Sequence, residues 1–144
     1  LTPEDINWAL RVAQLYDDIS QLPMGLETKL VTGGRNLSFG QIQRLLIARA
    51  IVDKPSLLIL DEAFAVLDES TSQRILDGLF DTENRWTIID ISHDGAVVRR
   101  TEMVHVLDSG QIVASGTPED LAARPMGAFR ELFPRLSQGL REGR

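Results

Sequence analysis

Cysteine is absent from all 144 residues. That excludes disulfides and thiolate zinc sites and allows a reducing compartment. No apolar run approaches the roughly 20 residues of a membrane span. No signal peptide is present, and the chain opens at Leu1 without an initiator Met, a start expected of a piece of something longer. A basic excess is lacking too. The net charge of −6 gives no electrostatic reason to expect nucleic acid or an anionic membrane as a direct partner. Repeats and low-complexity segments do not occur. What is there, 43% hydrophobic and 25% charged residues, is the composition of an ordinary globular domain with a core to bury.

The patterning predicts mixed structure. Thr2 can cap a helix that opens with Pro3, Glu4 and Asp5 and carries Ile6, Ala9, Leu10 and Ala13 at helical spacing. Leu22-Pro23-Met24-Gly25 breaks the pattern, and a loop follows through Gly33-Gly34. Ser38 can cap the next helix, which runs past Gln43, Leu46 and Ala50 to the stop at Asp53-Lys54-Pro55. Leu57-Leu58-Ile59-Leu60 is an unbroken apolar run, read as a strand buried on both faces of a parallel sheet. Asp68 can cap a helix with Ile75, Leu76, Leu79 and Phe80 on one face. Residues 87–91 form a second β-rich run ending at Ser92-His93-Asp94, with a short helix expected around 96–99. Residues 103–107 and 111–114, joined through Asp108-Ser109-Gly110, read as a hairpin. Thr117-Pro118-Glu119-Asp120 starts another capped helix, and residues 136–144, being polar, are expected to fray. The fold class is α/β: a mainly parallel sheet with flanking helices, preceded by a helical subdomain (1–55). A second part (56–135) ends in a β-hairpin and C-terminal helices, and 136–144 is the polar tail.

Two features carry chemistry. Asp61 and Glu62 follow the apolar run directly, at the carboxyl end of a strand, where open parallel sheets bind ligands. Two carboxylates there can hold a hydrated Mg²⁺ and activate a water, or merely cap the next turn. Ser38-Phe39-Gly40-Gln41 places a hydroxyl and free backbone N–H groups at a helix start, an anion site suited to phosphate, or again a plain cap.

The ordered set decides between these readings. Leu37-Ser38-Phe39-Gly40-Gln41, Gln43-Arg44, Ile47-Ala48-Arg49-Ala50, residues 57–62, Leu67-Asp68 and Ser92-His93 closely resemble the C-terminal half of the nucleotide-binding domain of ATP-binding-cassette (ABC) transporters. The matching motifs are the signature (37–41), Walker B (57–61) with its following glutamate, the D-loop around Asp68 and the switch histidine. Residues 106–117 resemble the family's closing hairpin, so the likeness runs over about 14–133.

That resemblance implies a truncated P-loop NTPase-like core using ATP and Mg²⁺. Asp61 would hold the metal through water, Glu62 would polarise the attacking water, and His93 would contact the γ-phosphate. Ser38, Phe39, Gly40 and Gln41 would act in trans on ATP held by a second nucleotide-binding domain. Asp68 would reach across the same dimer interface while also capping its own helix. His105 lies within the hairpin and gets no functional reading. The implied partners are that second domain and the transporter's transmembrane domains, with no nucleic acid. The implied location is the cytoplasmic face of a bacterial plasma (inner) membrane.

The chain departs from the family pattern in several places. The only lysines, Lys29 and Lys54, do not follow a glycine, so the Gly-x-x-x-x-Gly-Lys-Ser/Thr phosphate cradle is missing. The expectation is therefore a fragment inactive by itself. Phe39 stands where the signature usually has glycine. Phe64-Ala65-Val66-Leu67-Asp68 replaces the commoner Thr-Ser-Ala-Leu-Asp, and Asp94 follows the histidine where arginine is frequent. Residues 22–28 resemble exporters, although Val31-Thr32 replace the exporter's usual Gly-Glu. Two other readings stay open: an ATPase head of the chromosome-maintenance or DNA-repair type, and a non-catalytic partner-binding module.

Overall fold

In the computed structural model, residues 1–31 and 36–142 are described. Thr32, the expected Gly33-Gly34 loop and the last two positions of the tail lie outside them. The chain forms two compact units, Leu1–Ile91 and Ser92–Arg144. The division after residue 55 expected from the sequence falls inside the first unit.

The first unit begins with α1 (Pro3–Val12), started by a capping box in which Thr2 and Asp5 exchange side-chain and backbone hydrogen bonds. Short α2 (Tyr16–Ser20) follows, then a 3₁₀ turn at Gly25–Glu27 and α3 (Phe39–Ile51). Strand β1 (Leu57–Asp61), helix α4 (Glu69–Leu79) and strand β2 (Thr87–Ile91) complete it. The two strands pair in parallel with Asp61 opposite Ile91. Ala9, Leu10, Ala13, Leu15, Ile47, Ile51, Ile75, Leu76 and Leu79 are all buried. Close approach of α1 and α4 depends on Gly78, where an added Cβ would lie 3.0 Å from a methyl of Val12. Trp8 packs on Trp86 at 6.1 Å between ring centres, and the Lys54 ammonium sits 5.5 Å from the Trp8 ring.

One expectation is corrected by β1. Leu58 and Leu60 are buried, but Leu57 is 47% and Ile59 60% exposed, so the strand is covered on one face rather than both. The same face of β2 leaves Ile89 and Ile91 about half exposed. Among the described residues each strand of this sheet has one neighbour.

The second unit contains α5 (Gly95–Val98), the hairpin of β3 (Val104–Asp108) and β4 (Gln111–Gly116), and helices α6 (Pro118–Ala123), α7 (Ala128–Leu132) and α8 (Pro134–Glu142). The hairpin turns through Ser109 and Gly110, both at positive φ, the geometry of a two-residue turn matched to strand twist. Its core gathers Val98, Val106, Leu121, Ala122, Phe129, Phe133 and Leu136. The expected fraying of the tail is a second correction, because residues 136–142 belong to α8. Leu136 is buried and Leu140 packs on the same core, which gives a polar helix the apolar stripe that holds it down.

Candidate functional site

At the end of β1 the chain turns abruptly. Glu62 has φ 48°, a left-handed backbone that few residues other than glycine adopt. Its N–H donates to the Ile91 carbonyl at 2.9 Å, tying the turn to the last residue of β2. Two further turns follow, Ala65 N–H to Glu62 O at 3.2 Å and Leu67 N–H to Phe64 O at 3.0 Å. Ala63 and Phe64 are buried beneath them. Asp61 and Glu62 are consequently held at the carboxyl end of the strand with both side chains exposed.

The stretch 37–41 takes the conformation its residues suggest. Ser38 is the N-cap of α3: its Oγ accepts from Gln41 N–H at 3.1 Å, and Gln41 Oε1 accepts from Ser38 N–H at 2.8 Å. Leu37 is buried and Phe39 is 81% exposed. Gly40 lies beside the D-loop, where an added Cβ would meet a Leu67 methyl at 3.6 Å and the Val66 carbonyl at 4.0 Å. These are ordinary contacts, so the described residues leave room for a side chain at Gly40.

Asp68 caps α4, accepting from Thr71 N–H at 2.9 Å and from the Ser70 hydroxyl at 2.7 Å. Hydrogen bonding by the Thr71 side chain, then the Ser70 hydroxyl and the Thr71 N–H, holds its carboxyl well below the usual carboxylate range. It is therefore a fixed negative charge at the helix start. His93 is exposed and stands two residues beyond the end of β2, in the second unit. Asp94, found where the family often has arginine, caps α5 through Ala96 N–H at 2.8 Å. His105 pairs with Ser115 across the hairpin, Nδ1 to Oγ at 2.8 Å.

Sequence reading missed Asp18. One of its carboxylate oxygens accepts from Gln41 Nε2 at 2.7 Å and the other from Arg44 Nη1 at 2.8 Å. Arg44 also donates to the Gln14 carbonyl and, at 3.4 Å, to the Gly40 carbonyl. The partners are 23 and 26 residues away in sequence. Asp17-Asp18 before a buried Ile19 reads locally as a solvated helix face, so no nearby pattern announces the contact.

Among the described residues there is no group of three or more His, Cys, Asp or Glu placed to hold a metal ion. A single exposed carboxylate, Asp61, still suits Mg²⁺, which keeps several waters and binds through one or two carboxylates plus substrate phosphates.

The ABC transporter family profile matches residues 6–65. The "Transport/processing ATP-binding protein ComA" of Streptococcus pneumoniae is 42% identical over 123 residues, covering 85% of this chain and 17% of that protein. The "Heavy metal tolerance protein" of Schizosaccharomyces pombe is 34% identical over 138 residues, 96% of this chain and again 17% of that protein. Among solved structures, a bacterial Atm1-family ABC exporter with ATP bound superposes with a TM-score of 0.85 at 33% identity. That match covers 93% of this chain and 24% of the exporter's. The chain thus spans about a sixth of the length of the curated relatives it matches.

Proposed function

This chain belongs to the ABC transporter family, as a stretch of its nucleotide-binding domain, and we propose that it supplies the hydrolytic carboxylate and the trans-acting signature of an ATP-driven exporter. The observation that carries the reading is the joint placement of Asp61 and Glu62 at the mouth of a parallel strand pair. Glu62 is locked there by an unusual backbone angle and the bond to Ile91.

The chemistry follows from those positions. Asp61, through water, would hold Mg²⁺, which when bound neutralises charge on the phosphates of ATP. The Glu62 carboxylate accepts a hydrogen bond from the attacking water and draws off its proton, help worth about 10²–10⁴ in rate. His93 donates to the γ-phosphate and registers its loss. In a dimer of such domains Ser38 and the first-turn N–H groups of α3 meet the γ-phosphate of ATP held by the other domain. Phe39 stands exposed at that contact, and Gln41 fixes the cap from behind. Asp68, a permanent charge, reaches across the same interface. Residues 1–55 act as the helical subdomain and 56–135 as the second part of the catalytic core.

The partners on this reading are a second nucleotide-binding domain and transmembrane domains, with the ATPase at the cytoplasmic face of the membrane. Export rather than import is supported by residues 22–28 and by the exporter among the similar structures. The relatives come from a bacterium and from fungi, so membrane type is left to the parent polypeptide.

Residues 1–144 alone lack the phosphate cradle, and we propose that they neither hydrolyse ATP nor bind it tightly. The deciding experiment compares ATP turnover by the full-length parent, its Glu62→Gln variant and the isolated chain. The parent should hydrolyse ATP, Glu62→Gln should lose at least about a hundredfold, and the isolated chain should show none. Mg²⁺-dependent turnover by the isolated chain that disappears with Glu62→Gln would refute the fragment reading. Full activity in the parent variant would refute the role of Glu62.

A further inference from the structure

We infer that Asp18 is a positioning residue for the signature, holding the first turn of α3 so that Ser38 and its neighbouring N–H groups keep one orientation. The inference rests on the reading of residues 37–41 as the nucleotide-contacting segment.

Helix α2 is only five residues long and too short to be stable by itself. It is pinned by Leu15 and Ile19, both buried, and by the Arg11 guanidinium stacked 3.9 Å from the Tyr16 ring centre. Asp18 is therefore presented from a fixed base, with its side chain about two-thirds covered. Each carboxylate oxygen is spent on a different residue of α3.

The two bonds have different consequences. Through Gln41 the contact forms a chain: Asp18 Oδ1 accepts from Gln41 Nε2, and Gln41 Oε1 accepts from Ser38 N–H. The amide of Gln41 can satisfy both only in one flip state, so Asp18 selects the orientation that completes the capping box. Through Arg44 the contact neutralises a largely buried guanidinium that also grips the Gln14 and Gly40 carbonyls. Losing Asp18 frees Gln41 to rotate and leaves Arg44 a charge without its acid, one turn behind the signature. The expected consequence is a looser α3 start and a poorly aimed Ser38. A displacement of about 1 Å in a positioning group can cost up to about a hundredfold in rate.

The test uses the full-length parent. Asp18→Ala should speed hydrogen exchange of the amides of residues 42–45 about tenfold while leaving β1 unchanged. It should lower kcat for ATP about tenfold with KM within about twofold. Asp18→Glu should restore both, and Asp18→Leu, similar in size but without an acceptor, carries the same expectation as alanine should the alanine variant fold poorly. Unchanged exchange at 42–45 overturns the inference, as does faster exchange with unchanged kcat. A drop in thermal stability with kcat per folded molecule intact overturns it too, since that is the behaviour of simple tertiary glue. Ser38→Ala separates the two levels. If it lowers kcat where Asp18→Ala does not, Asp18 alone is overturned. If neither variant lowers kcat, the signature reading has failed as well.

Discussion

Gly40 has room for a methyl group. Its imagined Cβ meets Leu67 and Val66 at ordinary contact distances, its φ is unexceptional, and alanine is the better helix former by roughly 1 kcal/mol in a helix interior. Nothing among the described residues therefore calls for glycine, whereas a phosphate approaching the N-terminus of α3 would. Gly40→Ala in the parent should leave the melting temperature equal or higher and reduce ATP turnover about tenfold or more by crowding that approach. Calorimetry and a phosphate-release assay read the two effects separately, and intact turnover would remove the close-approach role. Caps such as Ser38, Asp68 and Thr2 were legible in the sequence because capping is a three-residue matter. Asp18 was not, because its meaning is created by residues more than twenty positions away. Glu62 was legible as a carboxylate after a strand, yet its left-handed backbone has no sequence signal, since glutamate is not a residue that advertises such an angle.

Helix α1 shows how far one element depends on a charge at its start. The Thr2 N–H, then Lys54, then the Thr2 hydroxyl hold the Asp5 carboxyl down at about 2. Its folded-state value is below the unfolded one, so the ionised form is the one that stabilises the fold. The contribution is complete above the ordinary carboxylate range, near pH 4, and drains away as pH falls from there toward 2. Asp5→Asn should therefore be less stable than the native chain by a constant margin from pH 7 to 5. That margin should shrink steadily below about pH 4. Urea unfolding at several pH values measures it, and a margin that grew on acidification would contradict the assignment. Elements of this kind were read well from sequence, since caps, periodicity and proline stops are all local. The misreadings came from packing. The apolar run at 57–60 reads as buried on both faces in a complete sheet, whereas the truncation read from the sequence already implied strand edges and one apolar face left open. Residues 136–142 looked free because the polar majority of α8 hid the stripe made by Leu136 and Leu140.

For the whole molecule the decisive feature is the bare face of the β1–β2 pair. Leu57 and Ile59 on one strand and Ile89 and Ile91 on the other present branched apolar side chains to solvent, all on one side. Each strand also keeps one edge unpaired among the described residues. Water around such a surface is costly at about 25 cal/mol per Å², and open edges accept further strands. When residues 1–144 are produced alone, the available partner is another copy. Concentrated samples should show a light-scattering mass above that of one chain, falling toward one chain on dilution. Ile59→Thr with Ile89→Thr keeps β-branched side chains in the strands while making the face more polar. The double variant should therefore scatter as a single chain at the same concentration while retaining its far-ultraviolet dichroism. A native chain that stays monomeric throughout would mean that the exposed face is tolerated in water, and the association would have to be abandoned.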